Sequence, residues 1–231
     1  MCFSAQASFA TAAALTIGGV ATLSRARDWR EAPLAAVPLL FATQQYAEGL
    51  LWLRLADGGV DRAAVILAHL FLLVAEVVWP VLVPVAALLV EPQVRRRRWM
   101  LPLAPLGVAV GATLLISMIL SPYEPSVRHH SILYANGVEQ VAGGEYVYLL
   151  VVAAPLLLSS RRTIFAIGVV DTALFFVARY LYSATYVSVW CFFAAAISVL
   201  VAAHFRAHAG ARSRPPPRAR PTVTATPDAR F

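Results

Sequence analysis

Hydrophobic residues in this chain form long runs, and short polar or arginine-rich connections separate one run from the next. A run of about 20 apolar residues is long enough to cross the hydrocarbon core of a bilayer as a helix. The pattern predicts seven such spans, at residues 4–24, 34–55, 63–90, 101–120, 144–159, 163–179 and 185–205. We therefore expect an all-α membrane protein, in which residues 1–205 form a seven-transmembrane-helix bundle.

Two connections carry local structural signals. The last two spans are continuous in hydropathy, but a single helix over them would be about 64 Å long, roughly twice the bilayer core. The chain must therefore fold back, and Arg179 followed by YLYSAT marks the expected corner. In the connection before the fifth span, HSILYANGVEQV places Asn-Gly between residues of strand type. This pattern predicts either a short β-hairpin lid over the outer mouth or an irregular loop with one turn.

The distribution of basic residues predicts the orientation. The chain is 60% hydrophobic and 13% charged, and all 19 basic residues are arginine. The first, third and fifth connections and the tail are rich in arginine, whereas the other connections hold few. Because cytoplasmic loops carry the excess positive charge, the N-terminus should lie outside and the C-terminus inside the cell. We expect the protein in the inner (plasma) membrane.

The C-terminal tail, residues 206–231, differs from the rest of the chain. It is rich in arginine and proline and nearly free of large apolar residues, so we expect a disordered cytoplasmic segment. Its net positive charge favours contact with anionic lipid headgroups. Although the net charge of the chain is +7, the arginines follow membrane topology, so we expect a lipid bilayer and no nucleic acid as partner. The sequence leaves the oligomeric state open.

Polar residues inside the spans are the candidate functional residues, because such residues are costly in a bilayer and usually face a cavity or the bundle interior. The candidate ligand-binding set is Gln44, Gln45, Glu48, His69, Glu76 and Asp171. Counted from the outer helix ends, Glu48, His69, Asp171 and Cys191 lie at similar depths of about 9–12 Å. This shared layer predicts an outward-facing polar pocket with Glu48, supported by its two neighbouring glutamines, at the centre.

Each candidate also has a structural interpretation. Glu48 and His69 are equally compatible with hydrogen bonds that hold helices together, and Asp171 with an ion pair to Arg179. Glu76 lies about 20 Å from the outer end, past the bilayer midplane, and is the hardest of the set to explain by a side chain that reaches back to the membrane surface. Pro80 and Pro84 should bend the third span.

A metal site is a further possibility. Cys2, Glu48, His69, Asp171 and Cys191 are chemically suitable ligands for an ion such as zinc, although no compact metal-binding motif is present. Retinal is excluded as a cofactor because the chain has no lysine to form a Schiff base.

Three segments resemble an uncharacterised family of bacterial multi-pass membrane proteins. They are the opening MCFSAQASF, the second-span motif PLLFATQQYAEGLLW and SVWCFF near the end. The resemblance implies an integral membrane protein and brings no known activity.

Three functions therefore stay open. The first is binding or transport of a cation, proton or small polar solute in the outward pocket. The second is a metal-dependent membrane-embedded enzyme, so whether the protein is an enzyme is uncertain. The third is a structural or assembly protein whose polar residues only join helices.

Overall fold

The protein is described from a computed structural model, which covers the backbone of residues 4–128, 131–136 and 143–210 and side chains up to residue 206. Within these residues the chain is mostly helical, with one two-stranded antiparallel sheet. Helices cover all seven apolar segments that the sequence predicts as spans. Cys2 and nearly all of the tail lie outside the described residues.

The helices follow the chain with few irregular connections. In the first half they are α1 Ala5–Leu23, α2 Ala32–Ala35, α3 Val37–Ala56, α4 Arg62–Leu72, a π-helix Leu73–Val78, α5 Trp79–Val90, α6 Val94–Met100 and α7 Leu103–Leu120. In the second half they are α8 Gly144–Leu157, α9 Arg162–Leu181, α10 Tyr186–Ala195 and α11 Ser198–Gly210. The strands are β1 Glu124–Arg128 and β2 Ser131–Ala135.

Five of the described helical stretches are long and apolar enough to cross a membrane. They are Ala5–Leu23, Arg62–Val90, Val94–Leu120, Arg162–Leu181 and Tyr186–Arg206. Helix α8 is apolar but shorter. Many large hydrophobic side chains on these helices are exposed, which is the surface that a lipid environment would cover. Length and composition thus agree with a membrane protein.

The third apolar segment is not a uniform helix. Pro80 cannot donate a backbone hydrogen bond, and the irregularity lies just before it, where residues Leu73–Val78 form a π-helix. The Trp79 amide donates to the carbonyl of Val74, five residues earlier, which is the π-helical bond. The Tyr148 hydroxyl from α8 donates to the Ala75 carbonyl in this segment. Glu76 therefore lies in a wide helical turn, a feature often found at functional sites.

Two glycines allow α7 to pack directly against that irregular segment. Gly107 and Gly111 are four residues apart and face the same neighbour. A Cβ on Gly107 would lie 1.9 Å from the Pro80 carbonyl oxygen, and one on Gly111 would lie 3.1 Å from the Val77 oxygen. This is the close backbone approach that pairs of small residues permit in apolar helices.

The third and fifth arginine-rich connections meet at one end of the helices. Arg96 donates to the carbonyl oxygens of Leu158 and Ser159 at 2.9 and 3.0 Å. The Glu91 carboxylate, 3% exposed, accepts from both the amide and the hydroxyl of Ser160 and from the hydroxyl of Ser159. Glu91 therefore joins the ends of α5 and α8.

Glu91 should make stability depend on pH. Burial alone would raise the pKa of its carboxyl group, but hydrogen bonds from Ser160, Gln93 and Ser159 outweigh burial and lower the pKa below its ordinary value of 4.5. The stabilisation that ionised Glu91 gives the folded state is therefore complete at pH values above 4.5. It is lost as the pH falls through the lower pKa of Glu91 in the folded state.

We expect Glu91→Gln to lower the melting temperature at neutral pH, because an amide oxygen cannot replace two acceptor oxygens. A cost of about 1–3 kcal/mol is typical for a stranded buried donor. Melting curves from pH 3 to 8 should show that the difference in melting temperature between this variant and the wild type becomes smaller at acid pH. A gap that is constant with pH, or equal in the exposed control Glu124→Gln, would contradict this role.

The β-hairpin lies in the connection between α7 and α8. Glu124 pairs with Ala135 and Arg128 with Ser131, so the strands flank positions 129 and 130. The connection thus contains a hairpin, but it lies earlier in the chain than the one predicted around Asn136 and Gly137. Asn136 follows the second strand, and residues 137–142, which would complete the predicted hairpin, lie outside the described residues. Ile132, fully buried, packs against Leu51 and Ala64. These apolar contacts hold the second strand against α3 and α4.

The corner between the last two apolar segments agrees with the sequence. Helix α9 ends at Leu181 and α10 begins at Tyr186, on either side of the predicted turn. Arg179 does not pair with Asp171. Its guanidinium lies 3.6 Å from the Glu145 carboxylate at the start of α8. Asp171 is two helical turns deeper in α9, where it is hydrogen-bonded by Trp190.

Candidate functional site

A cavity of about 510 Å³ lies among helices α3, α5, α7, α8, α9 and α10 and the π-helix. Most of its wall is apolar, and three carboxylates, Glu76, Glu145 and Asp171, contribute to the lining. Of these, Glu145 at the start of α8 lies 3.6 Å from the Arg179 guanidinium. Aromatic side chains form much of the remaining wall: Phe41, Trp79, Tyr123, Tyr148, Phe175, Tyr186 and Trp190. A pocket of this size with a few polar groups in an apolar wall is typical of a small-molecule site.

Among the described residues of this wall, Asp171 is the one with a buried polar side-chain atom that lacks a hydrogen-bond partner. It is 5% exposed, and its Oδ1 accepts a hydrogen bond of 3.2 Å from Trp190 Nε1. Its Oδ2 has no hydrogen-bond partner among the described residues. Because a buried carboxylate oxygen without a partner is costly, this oxygen is a natural contact point for a ligand.

Glu76 contributes the second carboxylate, which is 8% exposed. Both of its oxygens lie 3.2 Å from the Tyr123 hydroxyl, the donor in this pair. Glu76 and Tyr123 also line a smaller cavity of about 190 Å³, which β2 and residues 183–188 enclose on the hairpin side. The pair therefore belongs to the walls of both cavities. Burial raises the pKa of the Tyr123 hydroxyl above its ordinary value, which keeps it a donor.

Glu48, the expected centre of the pocket, does not line either cavity. It is completely buried, and it accepts hydrogen bonds from Ser188 Oγ at 2.7 Å and Gln45 Nε2 at 3.4 Å. The depth of Glu48 along its helix follows from the sequence, but the direction in which its face of α3 points does not. That face points toward α10, where the carboxylate joins two helices.

Gln44 supports the cavity wall from behind. Its Oε1 accepts from Trp79 Nε1 at 3.0 Å, and its Nε2 lies 3.7 Å from Cys191 Sγ. Trp79 and Cys191 both line the large cavity, whereas Gln44 and Gln45 do not. The glutamine–glutamate motif of α3 thus fixes wall residues of the site without contributing to its surface.

His69 lies outside both cavity walls. Its Nδ1 is 2.7 Å from the Val65 carbonyl of its own helix, and its ring packs edge-on against Tyr123 at 6.3 Å. Within the described part of the chain, no three His, Cys, Asp or Glu side chains lie close enough together to hold a metal ion. The proposed ligands Glu48, Asp171 and Cys191 are therefore not assembled into such a site, and Cys2 lies outside the described residues.

Several residues of the site were not recognised in the sequence. From the sequence, Trp190 and Tyr186 are most simply interfacial or core aromatics, but both line the cavity. Tyr123 lies in a connection and reaches Glu76, 47 positions earlier in the chain, which no local pattern indicates. The Gly107/Gly111 spacing is a signal in the sequence for close helix packing that could have been identified.

Comparison with known proteins identifies one related family. No curated protein and no solved structure matches the chain. The model of a family of unknown function, DUF6629, matches residues 1–218. This agrees with the resemblance of the opening, second-span and C-terminal motifs to an uncharacterised family. The match covers all seven apolar segments, and the chain therefore belongs to the family of unknown function DUF6629.

Proposed function

We propose that this protein is a seven-span inner-membrane protein that binds a small solute, either for transport or for sensing, in the cavity lined by Glu76 and Asp171. The carboxylates favour a cation, a proton or a solute with hydrogen-bond donors. The observation that carries the proposal is the unpartnered, buried Oδ2 of Asp171 in the wall of a cavity of about 510 Å³. A purely structural aspartate would be expected to have both oxygens satisfied.

The proposal includes an orientation in which the hairpin is external and the arginine-rich connections are cytoplasmic. Two observations support it. The third and fifth connections lie together through Arg96 and Glu91, whereas the hairpin connection packs with residues 183–188 around the smaller cavity. Positive charge is concentrated at the first of these two ends, as expected for the cytoplasmic side.

Reporter fusions test this orientation. Fusions after Arg30, after Arg98 and after Arg206 should all report the cytoplasm, and a fusion within the hairpin connection should report the outside. A fusion after Arg206 that reports the outside would contradict the seven-span arrangement.

Binding in the cavity is tested by melting the purified protein in detergent with inorganic cations, organic amines and neutral polar solutes. Asp171→Asn and Glu76→Gln retain the shape of the wall and remove its charge. We expect at least one solute class to raise the melting temperature of the wild type, with a clearly smaller shift in these variants. The exposed control Glu124→Gln should keep the full shift. Equal shifts in all four proteins would contradict the proposal.

A further inference from the structure

We propose that the ligand is an amphipathic organic cation, a protonated amine with an apolar or aromatic body, whose ammonium group binds Asp171 Oδ2. This inference rests on the proposed function and specifies the chemical class of its solute. Three features of the cavity support it: the unpartnered Oδ2 of Asp171, the aromatic rings packed at Trp190, and the apolar character of the remaining wall.

The binding point for the ammonium group is Asp171. Trp190 Nε1 donates to Oδ1 at 3.2 Å, which orients the carboxylate, and the buried Oδ2 has no hydrogen-bond partner among the described residues. No described arginine or histidine lies within ion-pair distance of Asp171. The guanidinium of Arg179 is paired with Glu145 at 3.6 Å. An ionised carboxylate at this depth needs a positive partner, and an N–H donor from a cation supplies both the charge and the missing hydrogen bond.

Aromatic rings cluster around Trp190, the residue that donates to Asp171. Trp190, whose nitrogen holds Asp171, packs edge-to-face against Phe175 at 5.0 Å and Tyr148 at 5.7 Å between ring centroids. Phe175 also contacts the Tyr186 ring at 6.2 Å. All four rings line the cavity. Aromatic faces attract organic ammonium groups and add to the attraction of the carboxylate.

The rest of the wall selects for an apolar body. Leu82, Val83, Val152, Ile167 and Ala194 are representative of the residues that cover the remaining surface. A hard inorganic cation that loses its water needs about six or more oxygen ligands, whereas most of this wall is apolar. A ligand with a hydrocarbon body gains about 0.8 kcal/mol for each methylene group that leaves water. The cavity is therefore suited to a cation that carries a large apolar group.

Three matched probes test the head and the body of the ligand separately. Diphenylpropylammonium has both, diphenylpropanol has the body with a neutral head, and propylammonium has the charged head alone. Equilibrium binding to the detergent-solubilised full chain should give an affinity for diphenylpropylammonium at least about tenfold higher than for either of the others. In Asp171→Asn, which keeps an oxygen for Trp190, the preference for the ammonium over the alcohol should disappear. In Glu124→Gln it should be unchanged.

The outcomes separate this inference from the function on which it rests. If diphenylpropanol or propylammonium binds as tightly as diphenylpropylammonium, or if Asp171→Asn keeps the preference, the inference is wrong. If the neutral alcohol binds as tightly as the ammonium and Ala194→Phe, which fills part of the cavity, removes that binding, the cavity still binds solutes and only the cationic class is refuted. If no probe and no solute of the wider panel binds the wild type, both proposals fail.

Discussion

Gly107→Ala is expected to destabilise the protein strongly. The added Cβ would meet the Pro80 carbonyl oxygen at 1.9 Å and the Pro80 carbonyl carbon at 3.0 Å. These are backbone atoms in α5 and cannot rotate away, so α7 must move away from α5. We expect a loss at or above the upper end of the roughly 1–3 kcal/mol that overpacking usually costs.

Thermal melting in detergent measures this effect, with Gly18→Ala as the matched control. Gly18 also lies within a helix, but a Cβ there would have no atom within 4 Å. Since alanine favours a helix over glycine by about 1 kcal/mol, the control should melt at or slightly above the wild-type temperature. Equal melting temperatures for the two variants would show that α7 and the segment around Pro80 do not pack as described.

Glu48→Leu is expected to produce the second large loss. Glu48 is 0% exposed, and its two oxygens accept from Ser188 and Gln45. Leucine removes both acceptors while the donors remain buried. Each buried donor that loses its acceptor lowers the free energy of unfolding by about 1–3 kcal/mol.

The matched variant is Glu48→Gln, which retains an oxygen that can accept from Ser188. We expect it to melt much closer to the wild type than Glu48→Leu does, and to retain any ligand-induced shift. If Glu48→Gln kept its stability but lost the ligand-induced shift, the ligand would reach Glu48, and the sequence-based view of this residue as the centre of the pocket would be preferred.

The helical segments were largely predictable because each is a long apolar run between charged or glycine-containing connections. The corner between Arg179 and Tyr186 followed from length alone, since one helix over both segments would be too long for a bilayer. The π-helix before Pro80 could not be read from the sequence. Proline indicates that a backbone hydrogen bond is lost but does not determine how the preceding residues rearrange.

The site was only partly predictable for a different reason. Depth along a helix can be counted from the sequence, but the direction of a side chain depends on which neighbour its helix face meets. Glu76 and Asp171 line the cavity, as expected for buried charges, while Glu48 at a similar depth to Asp171 faces Ser188 in α10. Contacts such as Tyr123 with Glu76 and Trp190 with Asp171 join distant segments and have no local signature.

The central claim is that a solute binds inside the cavity next to Asp171, and locating a bound probe tests it most directly. Crystals of the protein grown with a brominated diphenylpropylammonium would reveal the bromine by its anomalous scattering. We predict one bromine peak inside the cavity and amine density in contact with Asp171 Oδ2. A bromine peak on the lipid-facing surface, or an empty cavity at probe concentrations that saturate binding in solution, would contradict the claim.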